Sequence, residues 1–264
     1  MQLRGTLPLL ALLPLASPCA AFQEEVRTLA TRAGVTDAFF LITPDAPPVA
    51  SVVLFSGGEG VVGVGRLKNP GWGRGNFLVR NRRTFAGHGI LVAVVEVPSD
   101  HKTGYGYGAF RASKEHAQDI AAVIAALRRE ASVPVWVVGT SMGTISAANA
   151  AARLREGGPD GLVLTSSVTR RSRVVGVTLS DVDLDEIRVP TLVVHHENDA
   201  CVVTPIADAW TLPRRLKRAP KKEVVAFRGG SPVGDPCEGY AHHGYFGIDD
   251  EVVKAIADWI KAAR

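Results

Sequence analysis

Aromatic side chains are scarce in this chain: nine Phe, four Tyr and four Trp make up 6% of its 264 residues. Aliphatic side chains must therefore fill most of any core. Cysteine is scarcer still, at three residues. No Cys/His framework and no pair of histidines at i, i+4 spacing accompanies them, so no metal site is expected. Charge of one sign is also lacking. Thirty Lys and Arg against 26 Asp and Glu leave a net charge of +4, not the concentrated basic stripe of a dedicated nucleic-acid binder. With 46% hydrophobic and 21% charged residues, a disordered chain, a coiled coil and a collagen-like repeat are excluded.

The first residues have the build of a secretory leader. Arg4 precedes an apolar run, Gly5 to Ala16, followed by Ser17-Pro18-Cys19-Ala20-Ala21. That is a charged start, a short apolar centre and a small-residue cleavage site. The run is well short of the roughly 20 residues a membrane span needs. A lipoprotein anchor at Cys19 is disfavoured by Pro18. Residues 1–21 are expected to be a signal peptide cut after Ala21, and residues 22–264 to be one exported domain, periplasmic or secreted, with no stable membrane insertion. Two cysteines then remain, Cys201 and Cys237. In an oxidising compartment an even pair predicts one disulfide, the alternative being two separate buried thiols.

Strands and helices alternate along the rest. Continuous apolar runs rich in β-branched residues occur at Val52–Phe55, Ile90–Val97, Val133–Val138, Leu162–Thr165, Leu192–Val194 and Val224–Phe227. They lack polar alternation, as strands buried on both faces do. An earlier run, Phe39–Ile42, reads as an antiparallel edge strand. Ser113 can cap a helix whose apolar positions Ala117, Ile120, Ala121, Ile124 and Leu127 lie on one stripe. A last helix starts near Asp249 and buries Val252, Ile256, Trp259 and Ile260. The pattern implies an α/β class: an open, mostly parallel sheet flanked by helices with right-handed crossovers. A long glycine-rich stretch, Gly57–Gly75, is of a length usually functional or mobile.

Gly139-Thr140-Ser141-Met142-Gly143 stands between a strand and an alanine-rich helix, Ile145–Leu154. A bare G-x-S-x-G is a weak signal; with a strand before it and a helix after it the motif is a nucleophile elbow. A sharp strand-to-helix turn crowds the positions two before and two after the serine, and only glycine or another small residue fits there. The serine hydroxyl then stands at a helix N-terminus, where developing negative charge is favoured.

On these residues the chain resembles the α/β-hydrolase fold family over nearly all of its mature length. The resemblance implies a triad in the order nucleophile, acid, histidine. His195-His196-Glu197-Asn198-Asp199 follows Leu192–Val194 and is similar to the family's acid loop, with His196 where glycine is usual. Asp199 matches the acid and Glu197 competes. Ala241-His242-His243-Gly244 precedes the last helix, so His243 matches the base, with His242 as runner-up. Met142 and the loop Ser56-Gly57-Gly58-Glu59-Gly60 match the two sources of oxyanion-hole N–H groups, with Gly58 as the loop donor. Cys201 lies two residues after Asp199 and Cys237 six before His243, so a bridge would tie the acid loop to the histidine loop. Few residues separate Leu162–Thr165 from Leu192–Val194, which implies a minimal cap domain or none.

The resemblance implies a serine hydrolase acting on a small-molecule ester or thioester through an acyl-enzyme, with no cofactor. A serine peptidase or amidase would use the same triad. A non-catalytic binding protein on the same fold is the rival from another class. Arg66, Lys68, Arg74, Arg80, Arg82 and Arg83 form a basic stretch around Trp72. It is read as a solvated helix face rather than an anionic-substrate entrance. The oligomeric state is not legible.

Overall fold

The computed structural model describes residues 22–65, 73, 75–102 and 106–263. The expected leader, and Arg66, Lys68, Trp72 and Arg74 of the basic stretch, lie outside these residues. The unbroken apolar runs become the sheet's interior: β3 (Ala50–Phe55), β4 (Ile90–Val95), β5 (Val135–Thr140), β6 (Gly161–Thr165) and β7 (Thr191–His196) have every residue buried. They run parallel to one another, and β8 (Lys222–Phe227) adds a sixth parallel strand at one side. At the other side come two antiparallel strands, β2 (Val35–Thr43) and β1 (Gln23–Arg32). The order is β1-β2-β4-β3-β5-β6-β7-β8.

The edge therefore differs from the sequence expectation. Phe39–Ile42 is not an edge strand: β2 pairs with β4 on one side and β1 on the other. The true edge, β1, reads QEEVRTLATR and is mostly exposed. Its polar composition conceals it in the sequence, and the same charges guard the free edge against pairing with another chain. A two-residue turn at Ala33-Gly34, with Gly34 at φ 72°, joins it to β2.

Period-two alternation sends side chains to two separate cores. Val53, Phe55, Val137 and Leu164 face α4 (Lys114–Glu130) and α5 (Gly143–Arg153). Val52, Leu54, Val138 and Val163 face α1 (Phe77–Arg80), α2 (Arg82–Gly87) and α7 (Asp249–Ala262). The single turns α3 (Tyr107–Phe110) and α6 (Ile206–Ala209) follow β4 and β7. Ser113 caps α4 by accepting the His116 N–H at 3.0 Å. Asp249, Asp250 and Glu251 in the first turn of α7 complement its dipole. α5 is buried from Gly143 to Ala152, and only small side chains let it lie that close to the sheet.

Residues 166–190, between β6 and β7, hold just two short 3-10 turns, Leu179–Asp181 and Leu184–Glu186. No helical cap covers the carboxyl ends of the strands there. None of the described helices is long and apolar enough to cross a membrane.

Candidate active site

The elbow begins inside the sheet. β5 extends two residues beyond the apolar run, because Gly139 and Thr140 still pair with Leu164 and Thr165 of β6. The chain then turns at Ser141, which has φ 51°, and α5 starts at Gly143. A left-handed conformation at a residue with a Cβ costs on the order of 1–3 kcal/mol. Ser141 is held there from both sides. Its N–H donates to Thr165 O at 3.1 Å, and its carbonyl accepts the Thr144 N–H at 3.0 Å and hydroxyl at 2.6 Å. The flanking glycines are required by backbone contact: a Cβ at Gly139 would lie 2.3 Å from Gly143 O, and one at Gly143 would lie 2.1 Å from Phe55 O.

Asp199 follows β7 and its carboxylate is fully enclosed. Oδ2 accepts from Thr204 Oγ1 at 2.9 Å and meets His243 Nδ1 at 3.0 Å, while Oδ1 accepts the Cys201 N–H at 3.0 Å. His195 Nε2 approaches Oδ2 at 3.4 Å. Burial works to raise the Asp199 pKa, but the approach of His195, the His243 contact and the Cys201 N–H outweigh it. They hold the carboxyl well below the usual carboxylate range.

His243 lies on a 3-10 turn, His242–Gly244, and is buried. With Asp199 against Nδ1, the proton of the neutral ring belongs on Nδ1 and the lone pair on Nε2. Among the described residues Nε2 has no hydrogen-bond partner. The two competing candidates are occupied elsewhere: Glu197 pairs with Arg228, and His242 stacks on His196 with ring centres 4.2 Å apart. The end of β6 links this turn to the elbow. Thr165 holds the Ser141 N–H, and the next residue, Ser166, donates its hydroxyl to His243 O at 2.7 Å.

Ser166 and Tyr245 were not singled out by the sequence. Among the described residues, Ser141, Ser166 and Tyr245 are the non-glycine positions with left-handed backbone, at φ 51°, 44° and 59°. All three sit here. The buried Tyr245 hydroxyl accepts the Ser166 N–H at 3.2 Å and donates to Val194 O at 3.0 Å, with Ser166 Oγ 3.0 Å away. Strain concentrated at one place is a signature of a functional site, and backbone angles are invisible in composition or periodicity.

The loop after β3 lies across the elbow. A Cβ at Gly57 would fall 3.0 Å from Ser141 Cβ. Gly58 is exposed, with φ 57°. Neither Gly58 nor Met142 donates its backbone N–H to a partner among the described residues. Beneath the loop lies Arg111, fully buried, which donates to Ser56 O at 3.0 Å, Gly58 O at 3.3 Å and Ser146 Oγ at 2.8 Å and stacks on Tyr107. Burial lowers its pKa from the ordinary guanidinium value, against the opposing effect of Tyr107. Glu96 gathers the following segment, accepting the N–H groups of Val62, Gly63 and Val64.

Cys201 and Cys237 are joined in a disulfide with Cα atoms 4.6 Å apart. Cys201 is buried beside Asp199 and Cys237 is exposed. The described arginines of the basic stretch depart from the solvated helix face expected of them: Arg80 and Arg82 are largely buried, Arg83 is exposed, and all three are paired. Arg82 and Arg83 pair with Glu24. Arg80 binds Asp249 and the carbonyls of Gly75, Gly239 and Gly244, tying the histidine loop to α1 and α7. Among the described residues no group of three or more His, Cys, Asp or Glu is placed to hold a metal ion. Surface hollows of about 490 and 470 Å³ lie away from this site, one beside Ser180–Asp185 and the other around Phe22 and His88.

A mostly parallel sheet with an antiparallel edge, helices on both faces, and a strained serine, an acid and a histidine at the strands' carboxyl ends define the α/β-hydrolase fold, and this chain has it. A cold-adapted esterase from an Arctic intertidal metagenomic library is similar over 92% of this chain and 94% of its own, at 16% identity and TM-score 0.62. An esterase from Pyrococcus furiosus matches over 92% and 93% at 13% identity and TM-score 0.63. A dienelactone hydrolase from Anabaena variabilis matches over 92% and 98% at 13% identity and TM-score 0.61. No family model and no curated protein matches the sequence.

Proposed function

We propose that the protein is a serine hydrolase that cleaves carboxylic esters or thioesters through an acyl-enzyme. The observation that carries this reading is the enclosed Asp199–His243 pair, whose unpartnered Nε2 shares the end of β6 with a serine in a strained elbow. In the proposed reaction His243 Nε2 takes the Ser141 Oγ proton as Oγ bonds to the substrate carbonyl carbon. The carbonyl π pair moves onto oxygen, where the Gly58 and Met142 N–H groups receive it. The Ser141–substrate adduct collapses, the bond to the leaving alkoxide or thiolate breaks, and the leaving group takes the proton from His243. Water repeats the sequence with His243 as base and frees Ser141. Asp199 keeps the Nδ1 proton in place and stabilises the imidazolium. The reading needs no cofactor.

The esterase and hydrolase names of structurally similar proteins support the reaction class. The bare carboxyl edge between β6 and β7 supports modest, unhindered substrates. The disulfide supports export to an oxidising compartment.

Labelling with a fluorophosphonate probe and peptide mapping tests the proposal. Ser141 should carry the probe, and Ser141→Ala should abolish both labelling and hydrolysis of a p-nitrophenyl ester while remaining folded. A wild-type protein that neither labels nor hydrolyses any ester or thioester would favour a binding role and overturn the reading.

A further inference from the structure

A side-chain amide stands at the elbow, and its nitrogen has no hydrogen-bond partner among the described residues. Asn76 precedes α1, and its Oδ1 accepts the Leu78 N–H at 3.1 Å. An N–H needs an acceptor, so this bond decides which end of the amide is oxygen and turns Nδ2 away from the helix. On that side lies the reaction centre. The position a Gly57 Cβ would occupy is 3.4 Å from Asn76 Nδ2, 3.0 Å from Ser141 Cβ and 3.3 Å from Thr140 O. Nδ2, the oxyanion loop and the nucleophile thus converge on one point, left open because residue 57 is glycine. Asn76 is half-buried, and its Nδ2 has no hydrogen-bond partner among the described residues.

The residue that carries the amide is also braced. The backbone N–H of Asn76 donates to Gly73 O at 2.9 Å, and its backbone carbonyl accepts the Arg80 N–H at 3.0 Å. The histidine loop packs against its backbone: a Cβ at Gly239 would lie 3.4 Å from Asn76 Cα, and Arg80 Nη1 bonds both Gly75 O and Gly239 O, at 2.6 and 2.7 Å. A donor held this firmly costs no reorganisation when charge develops beside it.

We propose that Asn76 is a further catalytic residue, its Nδ2 donating to the oxyanion as a side-chain member of the hole formed with Gly58 and Met142. This rests on the serine-hydrolase reading. It adds no bond-making step: the π pair that moves to oxygen when Ser141 attacks is received by three donors instead of two, and returns when the intermediate collapses.

Two substitutions separate this role from capping. Asn76→Asp and Asn76→Ser both keep an oxygen for the Leu78 N–H, since Asp, Asn and Ser cap about equally well. The first replaces the donor with an acceptor and the second shortens it out of reach. On a p-nitrophenyl ester both should lower kcat about 10²- to 10³-fold, the usual effect of one oxyanion donor, with KM and thermal midpoint nearly unchanged. Variants that stay folded with kcat within threefold of wild type would overturn the proposal. A measurement on the wild-type protein covers the case of misfolding. When a trifluoromethyl ketone forms its hemiketal oxyanion on Ser141, the Asn76 side-chain amide protons should shift downfield in NMR spectra; unmoved resonances would overturn the assignment. A wild-type protein without hydrolysis or Ser141 labelling would overturn the serine-hydrolase reading as well, whereas active Asn76 variants would remove Asn76 alone.

Discussion

At Gly143 a single methyl group is enough to break the elbow. Its Cβ would sit 2.1 Å from the backbone oxygen of Phe55, and neither β3 nor α5 can retreat without opening the core between them. Gly143→Ala should therefore cost more than the 1–3 kcal/mol typical of overpacking and lower the denaturation midpoint sharply, as a urea titration would record. Gly58→Ala offers a contrast: among the described residues beyond its chain neighbours no atom lies within 4 Å of its Cβ position, and the strain comes from the positive φ. Asp37 behaves differently. It is buried in β2, and burial first, then the nearby Asp119 charge, push its pKa up to about 7, with Arg32 opposing. A raised carboxyl pKa means that the folded state binds more protons than the unfolded state between about pH 4 and 7. Stability from this group is full below about pH 4 and declines until about pH 7. Asp37→Asn should remove that decline and raise stability at pH 8 by on the order of a few kcal/mol at most, read as a higher thermal midpoint. Melting curves at pH 5 and 8 would check it, and a wild-type midpoint that does not fall relative to the variant would refute it.

The loops are the elements on which the proposed chemistry depends, and each is pinned by named contacts. The disulfide joins the acid loop to the segment before the histidine turn across a separation of 36 residues. In the chain-entropy model such a closure contributes about 4 kcal/mol. Reduction should lower the thermal midpoint. It should also lower esterase activity at temperatures below unfolding, because Cys201 supplies an N–H to Asp199 directly. Activity that stays constant after reduction, with two free thiols titrated per chain, would show that the loops hold without the bridge. Arg111 pins the oxyanion loop in the same way. Arg111→Met keeps the buried stem and removes the donors to Ser56, Gly58 and Ser146. It should reduce kcat as well as stability, since two of the three lost contacts end on the loop and the third on the buried Ser146 of α5. Equal kcat in the folded variant would assign the loop's shape to Glu96 and its own glycines. These devices were unequally visible in the sequence. The disulfide followed from the number of cysteines after the expected cut. Arg111 and Glu96 did not, because a buried charge is recognised only by the carbonyls and N–H groups folded around it.

For the whole molecule, the alternation of apolar runs with helical stripes was enough to give the parallel core, its flanking helices and the elbow. Each depends on periodicity within a few neighbouring residues, and so it is written in local order. The exported form should begin at Phe22, one residue before β1. Mass spectrometry of the protein recovered outside the cytoplasm would check this, and a retained leader would refute it. Other features required the chain to fold back on itself. Strand β1 carries too few apolar residues to announce itself and becomes a strand because β2 offers it an open edge. Asp199 rather than Glu197 meets His243, and His242 rather than His243 stacks on His196, because turn geometry, not residue type, decides which of two nearby like side chains faces inward. The left-handed backbones at Ser166 and Tyr245, and the placement of Asn76 Nδ2 at the elbow, come from contacts among segments far apart in the chain. Local pattern determines which elements form and where the nucleophile stands. The partners that orient it are decided by three-dimensional packing, because hydrogen bonds and close contacts between distant segments leave no periodic trace in the sequence.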